Sequence, residues 1–345
     1  MKRFMGRMKG AMFATALLAS AATTGSALAA DITWRLQSVA GAGTNEYKYL
    51  VEKFAEYTRD MTGGKVEIKT YPAGMLMKSS EVPDAVGKGV LDVGHTYLVY
   101  MSGKDPALKA VNEWPAQAHP LQGVMWFYEG GGAELMRKIV AKHNMHFLGV
   151  APILGEQIWS SKPLPKIDDL KGLKMRGAGL ASDSLAKLGA SVVAMSGEDI
   201  YQGLQRGVID AVEFTTMPVN FGLGFHEVAK HVVLPSYSGG GTADFVINQK
   251  AWAKVPEDLR PKIERALQLA GYEYYRAAVI EESEILQKLK QSGATIHYWS
   301  AEDMQKLERA RIDVMRDKYS AESPAFAEKF QSQLKFLERL GYKAE

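Results

Sequence analysis

The chain has 345 residues, 46% of them hydrophobic and 23% charged, with 33 Gly, 13 Pro and no cysteine. This is a globular composition at a length that accommodates two domains. The missing cysteines exclude disulfides, Cys-ligated zinc, iron–sulfur clusters and a thiol nucleophile. The formal charge of +3 is expected to disappear on export. Lys2, Arg3, Arg7 and Lys9 precede the apolar run AMFATALLASAA, and Ala27-Leu28-Ala29 supplies small residues at signal-peptidase spacing. Cleavage after Ala29 leaves 38 basic against 39 acidic residues, net −1. No basic surplus then remains to neutralise phosphates, so a nucleic-acid partner is not expected. Thr23, Thr24, Gly25 and Ser26 interrupt the apolar run below the roughly 20 residues a span requires. The expected location is the periplasm, as a soluble protein.

Short β-like runs alternate with helical patterns, which predicts α/β layers. Ile32 to Val39 reads as the first strand. A helix follows, capped by Thr44 or Asn45 and carrying Tyr47, Leu50, Val51, Phe54 and Tyr57 on one face, and it stops at Gly63-Gly64. Lys65 to Tyr71 alternates Val66, Ile68 and Thr70 with charged residues, as a half-buried strand does. Further strands are expected at 90–96, 146–152, 173–176, 191–195, 208–215, 232–234, 244–248 and 295–299. A long helix is expected between Val255 and Gly293, and a helical tail from Ala301 to Leu340 with a break at Pro324. The stretch Ala85 to Thr96 echoes Gly203 to Phe214, a helix exit at a basic residue plus Gly followed by a buried strand. A unit repeated in two lobes would place His95–Tyr97 and Glu213–Thr215 at equivalent strand ends, where open α/β sheets bind ligands.

No nucleophile elbow, Walker A or complete dinucleotide fingerprint occurs, so catalysis is not expected. Gly130-Gly131-Gly132 reads as a tight turn before a helix. His143 with His146, and His226 with His231, lack a third ligand for zinc. Arg176 ends a short strand and precedes Gly177-Ala178-Gly179 and a helix start, which directs a guanidinium and backbone N–H groups at one anion. Glu213 stands in the apolar run Ala211-Val212-Glu213-Phe214 and needs a partner, either a cation within its lobe or a ligand. Gln157 and Trp159 fall where the chain passes between lobes, and Tyr97 and Tyr100 follow the strand end of the other lobe. With an arginine opposite, such aromatics would wall a small anion.

These residues resemble the periplasmic solute-binding subunits of tripartite ATP-independent periplasmic (TRAP) transporters over nearly the whole mature chain. The most specific segment is Asp168 to Arg176 followed by Leu188-Gly189-Ala190, with Arg206 to Ala211 and Gly222-Leu223-Gly224-Phe225 in support. His95-Thr96, Gly103-Lys104-Asp105-Pro106 and Gly130 to Arg137 resemble the branch that binds 2-oxo acids and lactate. The resemblance implies a two-lobed periplasmic binding protein, type II-like, with mixed sheets flanked by helices and joined by crossing strands and a long helix. Lobe I is expected at 30–152 plus about 238–260, lobe II at 153–237 plus about 285–345, and the connecting helix at about 261–284. It implies that Arg176 grips a carboxylate, and that Gln157, Glu213 and the main chain of Phe214 hold a Na⁺ or Ca²⁺ ion bridging to the ligand. Tyr97, Tyr100 and Tyr237 complete the expected pocket. The implied partners are a small organic acid and the TRAP permease, with the protein a monomer or homodimer.

Overall fold

The computed structural model describes residues 30–115, 119–195 and 197–342; the expected signal segment lies outside the described residues. The first lobe is built from β1 (Ile32–Ser38), β2 (Val66–Tyr71), β3 (Val93–Thr96) and β4 (Met145–Leu154). The chain then enters the second lobe with β5 (Glu156–Ser160), β6 (Lys174–Arg176), β7 (Ser191–Val193), β8 (Ala211–Thr216) and β9 (His231–Leu234). It returns to the first lobe as β10 (Gly240–Asn248), and β11 (Thr295–Tyr298) finally joins the second sheet.

The sheet orders are β2-β1-β3-β10-β4 and β11-β9-β5-β8-β6-β7. Reversing the second shows β7-β6-β8-β5-β9 against β2-β1-β3-β10-β4. In each, a central strand (β3 or β8) pairs parallel with its own lobe's strand on one side. On the other side it pairs antiparallel with a strand that has just crossed from the opposite lobe. The echo between Ala85–Thr96 and Gly203–Phe214 therefore maps onto equivalent strands of two similarly wound lobes. Each lobe buries its own apolar core, for example Leu36, Phe54, Phe245 and Leu267 in the first and Ile158, Met175, Leu185 and Leu307 in the second.

Sequence reading misses β5. Five residues that open Glu-Gln, one residue after β4, show no alternation of their own. They become a strand because β8 and β9 supply hydrogen-bonding partners on both sides. β10 likewise begins at Gly240 rather than Asp244, since a glycine-rich start carries no side-chain pattern.

The two crossings touch at Gly155. A Cβ there would lie 2.2 Å from both Ser236 Oγ and Ser238 O, and Tyr237 N donates to Glu156 O at 2.6 Å. Gly155→Ala is therefore expected to destabilise the protein by about 1–3 kcal/mol through overpacking against a backbone that cannot yield. Urea unfolding reads this directly, and an unchanged midpoint would show that the crossing has slack.

The third connection is the helix Arg260–Gln291, 32 residues and about 48 Å long at 1.5 Å per residue. Its first half buries Ile263, Ala266, Leu267, Ala270 and Tyr274 in the first-lobe core, and its end buries Ile285 and Leu289 in the second. The helix Ala301–Asp313 packs on the second lobe through Leu307.

The tail corrects one expectation. Residues after about 285 are expected in lobe II, but the final helix Pro324–Arg339 packs on the first lobe. Phe336 and Leu337 join a core with Trp126, Met136 and Phe147, and Trp126 Nε1 donates to Ser332 Oγ at 3.0 Å. An apolar helix stripe states that it will be buried, not against which lobe.

Candidate functional site

A cleft of about 410 Å³ opens between the lobes, at the strand ends that β3 and β8 present to each other. Its first-lobe wall includes Glu46, Tyr97, Val99, Tyr100 and Glu113. Its second-lobe wall includes Arg176, Ala178, Gly179, Glu213, Phe214 and Val219, and Glu156 and Ser238 come from the crossings. Of the residues expected from the sequence, Arg176, Glu213, Phe214, Tyr97 and Tyr100 line this cleft. Gln157 and Tyr237 do not.

Arg176 ends β6 beside β8, with Arg176 in register with Val212. Its side chain is only 11% exposed. Nη1 donates to Glu213 O at 2.7 Å, Nε donates to Met195 O at 3.3 Å, and the guanidinium stacks 4.8 Å from the Phe214 ring centroid. Two backbone carbonyls and one aromatic face thus hold the fork, and Nη2 takes no part in those bonds. The helix Gly179–Lys187 starts three residues later, and its first residue lines the same cleft. A fixed cation beside a helix start is a site for an anion, and a planar fork fits a carboxylate bidentately.

The Glu213 carboxylate lies 4.0 Å from Arg176 Nη1, so the cation within its own lobe and the ligand-facing position are both satisfied by one geometry. Its nearer carboxyl neighbour is Glu156, with which it hydrogen-bonds side chain to side chain. Burial, and then repulsion from Glu213, hold the Glu156 carboxyl well above the usual carboxylate range. Glu213 is also raised by burial, against the opposing pull of Glu156, Arg176 and Arg311. Burial and mutual repulsion thus both disfavour two full negative charges at this pair.

Ile158 stands opposite Glu213 and Trp159 opposite Val212, but the register slips between Glu156 and Ile158, so that Glu156 stands opposite Thr216. This irregularity at the start of β5, rather than regular alternation, brings Glu156 to the cleft wall beside Glu213. Gln157 is directed to the other face, where Nε2 donates to Glu282 Oε1 of the long helix at 2.9 Å and to Gly155 O at 2.8 Å. Its Oε1 is buried without a hydrogen-bond partner. The signal for Glu156 was present, a carboxylate in the apolar stretch Ile153 to Trp159, but only the pairing of β5 with β8 shows where it points.

Tyr97 follows β3 and meets Tyr100 edge-on at 6.4 Å between centroids. Burial, with Glu46 nearby, pushes the Tyr97 phenol well above its usual value. Tyr100 is 46% exposed at the rim. Tyr237 lies behind the wall, where its hydroxyl meets Ser184 Oγ at 2.7 Å and its ring stacks against Arg311 at 5.0 Å.

The glycine run and three of the histidines are structural. Gly130–Gly132 forms a turn in which a Cβ on Gly132 would lie 2.6 Å from the Trp126 ring. His143 Nε2 meets Asp105 Oδ2 at 2.8 Å, His146 stacks on Trp252, and His226 stacks on Phe221. Ser38, His95 and Glu46 form a Ser–His–acid string, but Ser38 is fully buried and its Oγ already accepts from Ala40 N at 2.8 Å. Among the described residues no group of three or more His, Cys, Asp or Glu side chains is placed to hold a metal ion.

Two similarly wound lobes around one cleft, joined by crossing strands and a long helix, define a solute-binding clamp. Residues 36–322 match the family described as bacterial extracellular solute-binding protein, family 7, and the chain belongs to that family. It is 30% identical over 292 residues to a monocarboxylate 2-oxoacid-binding periplasmic protein of Nostoc, covering 84% of this chain and 80% of the relative. A TRAP solute-binding protein of Pseudoalteromonas atlantica with bound sodium and pyruvate superposes with a TM-score of 0.79 at 26% identity, covering 90% of this chain and 94% of that one. One from Bordetella bronchiseptica, with copurified calcium and picolinate in its occupied site, gives 0.80 at 26% identity over 90% and 93% of the two chains.

Proposed function

We propose that this protein captures a small organic carboxylate in the periplasm, a 2-oxo acid, lactate or similar monocarboxylate, and delivers it to a TRAP permease. The observation that carries the reading is Arg176. Its guanidinium is held by Glu213 O, Met195 O and the Phe214 ring on the cleft wall, beside the start of the helix Gly179–Lys187. The relatives that hold pyruvate or picolinate support the same ligand chemistry. No bond is made or broken. Contacts from both lobes to one ligand favour the closed arrangement over the open one, and the closed form is what a permease would recognise.

The donor set suits a hard cation. Glu156 and Glu213 bring two carboxyl groups together at the cleft wall, an oxygen-only donor pair of the kind that Na⁺ or Ca²⁺ prefers. A cation there supplies positive charge beside an incoming carboxylate and offsets its repulsion from Glu213. Gln157, on the far face of β5, contributes through Glu282 and the long helix rather than from the cleft wall.

Calorimetry with pyruvate and lactate, on dialysed and chelator-treated protein, tests both parts. Binding is expected to strengthen when sodium or calcium is restored, and Glu213→Gln is expected to weaken that dependence. Full-strength binding in sodium-free, chelated buffer would remove the cation and leave the arginine site standing. No binding of either acid under any ionic condition would remove the carboxylate. Export is tested separately, since N-terminal sequencing of periplasmic protein is expected to begin at Ala30.

A further inference from the structure

The first-lobe wall of the cleft carries a fixed acceptor that the carboxylate-binding arginine does not use. Glu46 lines the cleft at the start of the first helical segment, with its side chain 14% exposed. Its Oε1 lies 3.4 Å from His95 Nε2, and neither atom has a hydrogen-bond partner although both are buried. His95 is held on its other side. Nδ1 meets Ser38 Oγ at 2.8 Å, that Oγ accepts from Ala40 N, and the ring stacks on Phe245 at 4.8 Å. Ser38, His95 and Phe245 are all fully buried. Buried polar groups cost stability unless they are paired, so a buried Ser–His relay ending beside a half-satisfied carboxyl is an arrangement for positioning that carboxyl.

We infer that the ligand carries an N–H or O–H donor besides its carboxylate, and that Glu46, positioned by His95, accepts it. The inference rests on Arg176 binding the carboxylate. A carboxylate group only accepts hydrogen bonds, so a methyl, a carbonyl oxygen or a second carboxylate in place of that donor leaves Glu46 unpaired or repelled. Among the monocarboxylates proposed above, this favours hydroxy- and amino-acids over 2-oxo acids. Tyr97, Val99 and Phe214 line the cleft between Glu46 and Arg176 and offer apolar surface to the carbon skeleton.

Calorimetry with three- and four-carbon acids tests this. Propionate, butyrate and pyruvate lack the donor. Lactate, 3-hydroxypropionate, 4-hydroxybutyrate, alanine and 4-aminobutyrate carry it at different positions. At least one donor-bearing acid is expected to bind about 10-fold or more tightly than all three without it, because a site built around a hydrogen bond rejects the analogue that lacks the group. In Glu46→Met, which removes both acceptor oxygens, that ratio is expected to fall toward one. Pyruvate or propionate binding as tightly as every donor-bearing acid would overturn the inference while the carboxylate reading stood. A preference that survives Glu46→Met would overturn the role of Glu46. Binding of none of these acids by folded wild-type protein would overturn both. The wild-type panel needs no variant to fold, so failure of Glu46→Met to fold leaves the ligand class decided.

Discussion

Arg176→Ala is expected to weaken carboxylate binding by roughly 10- to 100-fold or more, since hydrogen bonds to charged groups contribute about 1.5–3 kcal/mol each. The effect should be specific to the ligand rather than to the fold. The guanidinium donates to Glu213 O and Met195 O at the cleft wall, where water can replace it. Arg176→Lys is expected to recover only part of the loss, because a point charge cannot form the fork or stack on Phe214 in the same way. Calorimetry reads both, with circular dichroism to verify folding. Unchanged affinity in a folded Arg176→Ala protein would remove the arginine from the site.

The second large effect concerns the contact between the lobes. Arg311, on the second-lobe helix Ala301–Asp313, is fully buried. Its Nη2 donates to Trp114 O at 3.0 Å and lies 3.5 Å from Glu113 Oε2, both on the first-lobe side. Arg311→Met keeps much of the volume but strands the Glu113 carboxyl and the Trp114 carbonyl. Breaking a buried pair from one side is expected to destabilise the protein by about 3–5 kcal/mol, read as a lower urea midpoint. A loss below about 1 kcal/mol would show that water compensates both groups.

Glu113 adds a pH dependence to the same contact. Although 24% of its side chain is exposed, burial of its carboxyl pushes its pKa up to about 7, against the opposing pull of Arg311. A raised acid contributes stability that is fully present below its unfolded value near 4.5 and is lost as pH rises through about 7. Glu113→Gln removes that contribution. The melting temperature of the variant relative to wild type is therefore expected to move in the variant's favour between pH 5 and 7.5. A difference that stays flat across this window would place the titration elsewhere.

Much of the architecture was legible in linear order. The alternation of Val66, Ile68 and Thr70 with charged neighbours, the Gly63-Gly64 stop and the long apolar periodicity after Val255 are local patterns, and local patterns survive into the folded chain. Arg176 and Glu213 were legible for the same reason. A charged residue at the exit of a short strand, or inside an apolar one, marks its own position without reference to the rest of the molecule.

What was not legible depends on partners distant in sequence. Whether Glu156 or Gln157 faces Glu213 is decided by the register of β5 against β8, some 55 residues away along the chain. The Arg311–Glu113 contact joins residues nearly 200 positions apart, and the Ser38–His95–Glu46 relay joins two strands and a helix start. The last helix lies on the first lobe because Phe336 and Leu337 meet Trp126 and Met136 there, a match of surfaces that no periodicity encodes. Hydrophobic period and turn chemistry are properties of neighbouring residues, and they specified the elements and the arginine of this protein. The face a strand turns to the cleft, and the lobe a helix covers, follow from non-local pairing and burial, and those assembled the carboxyl groups around it.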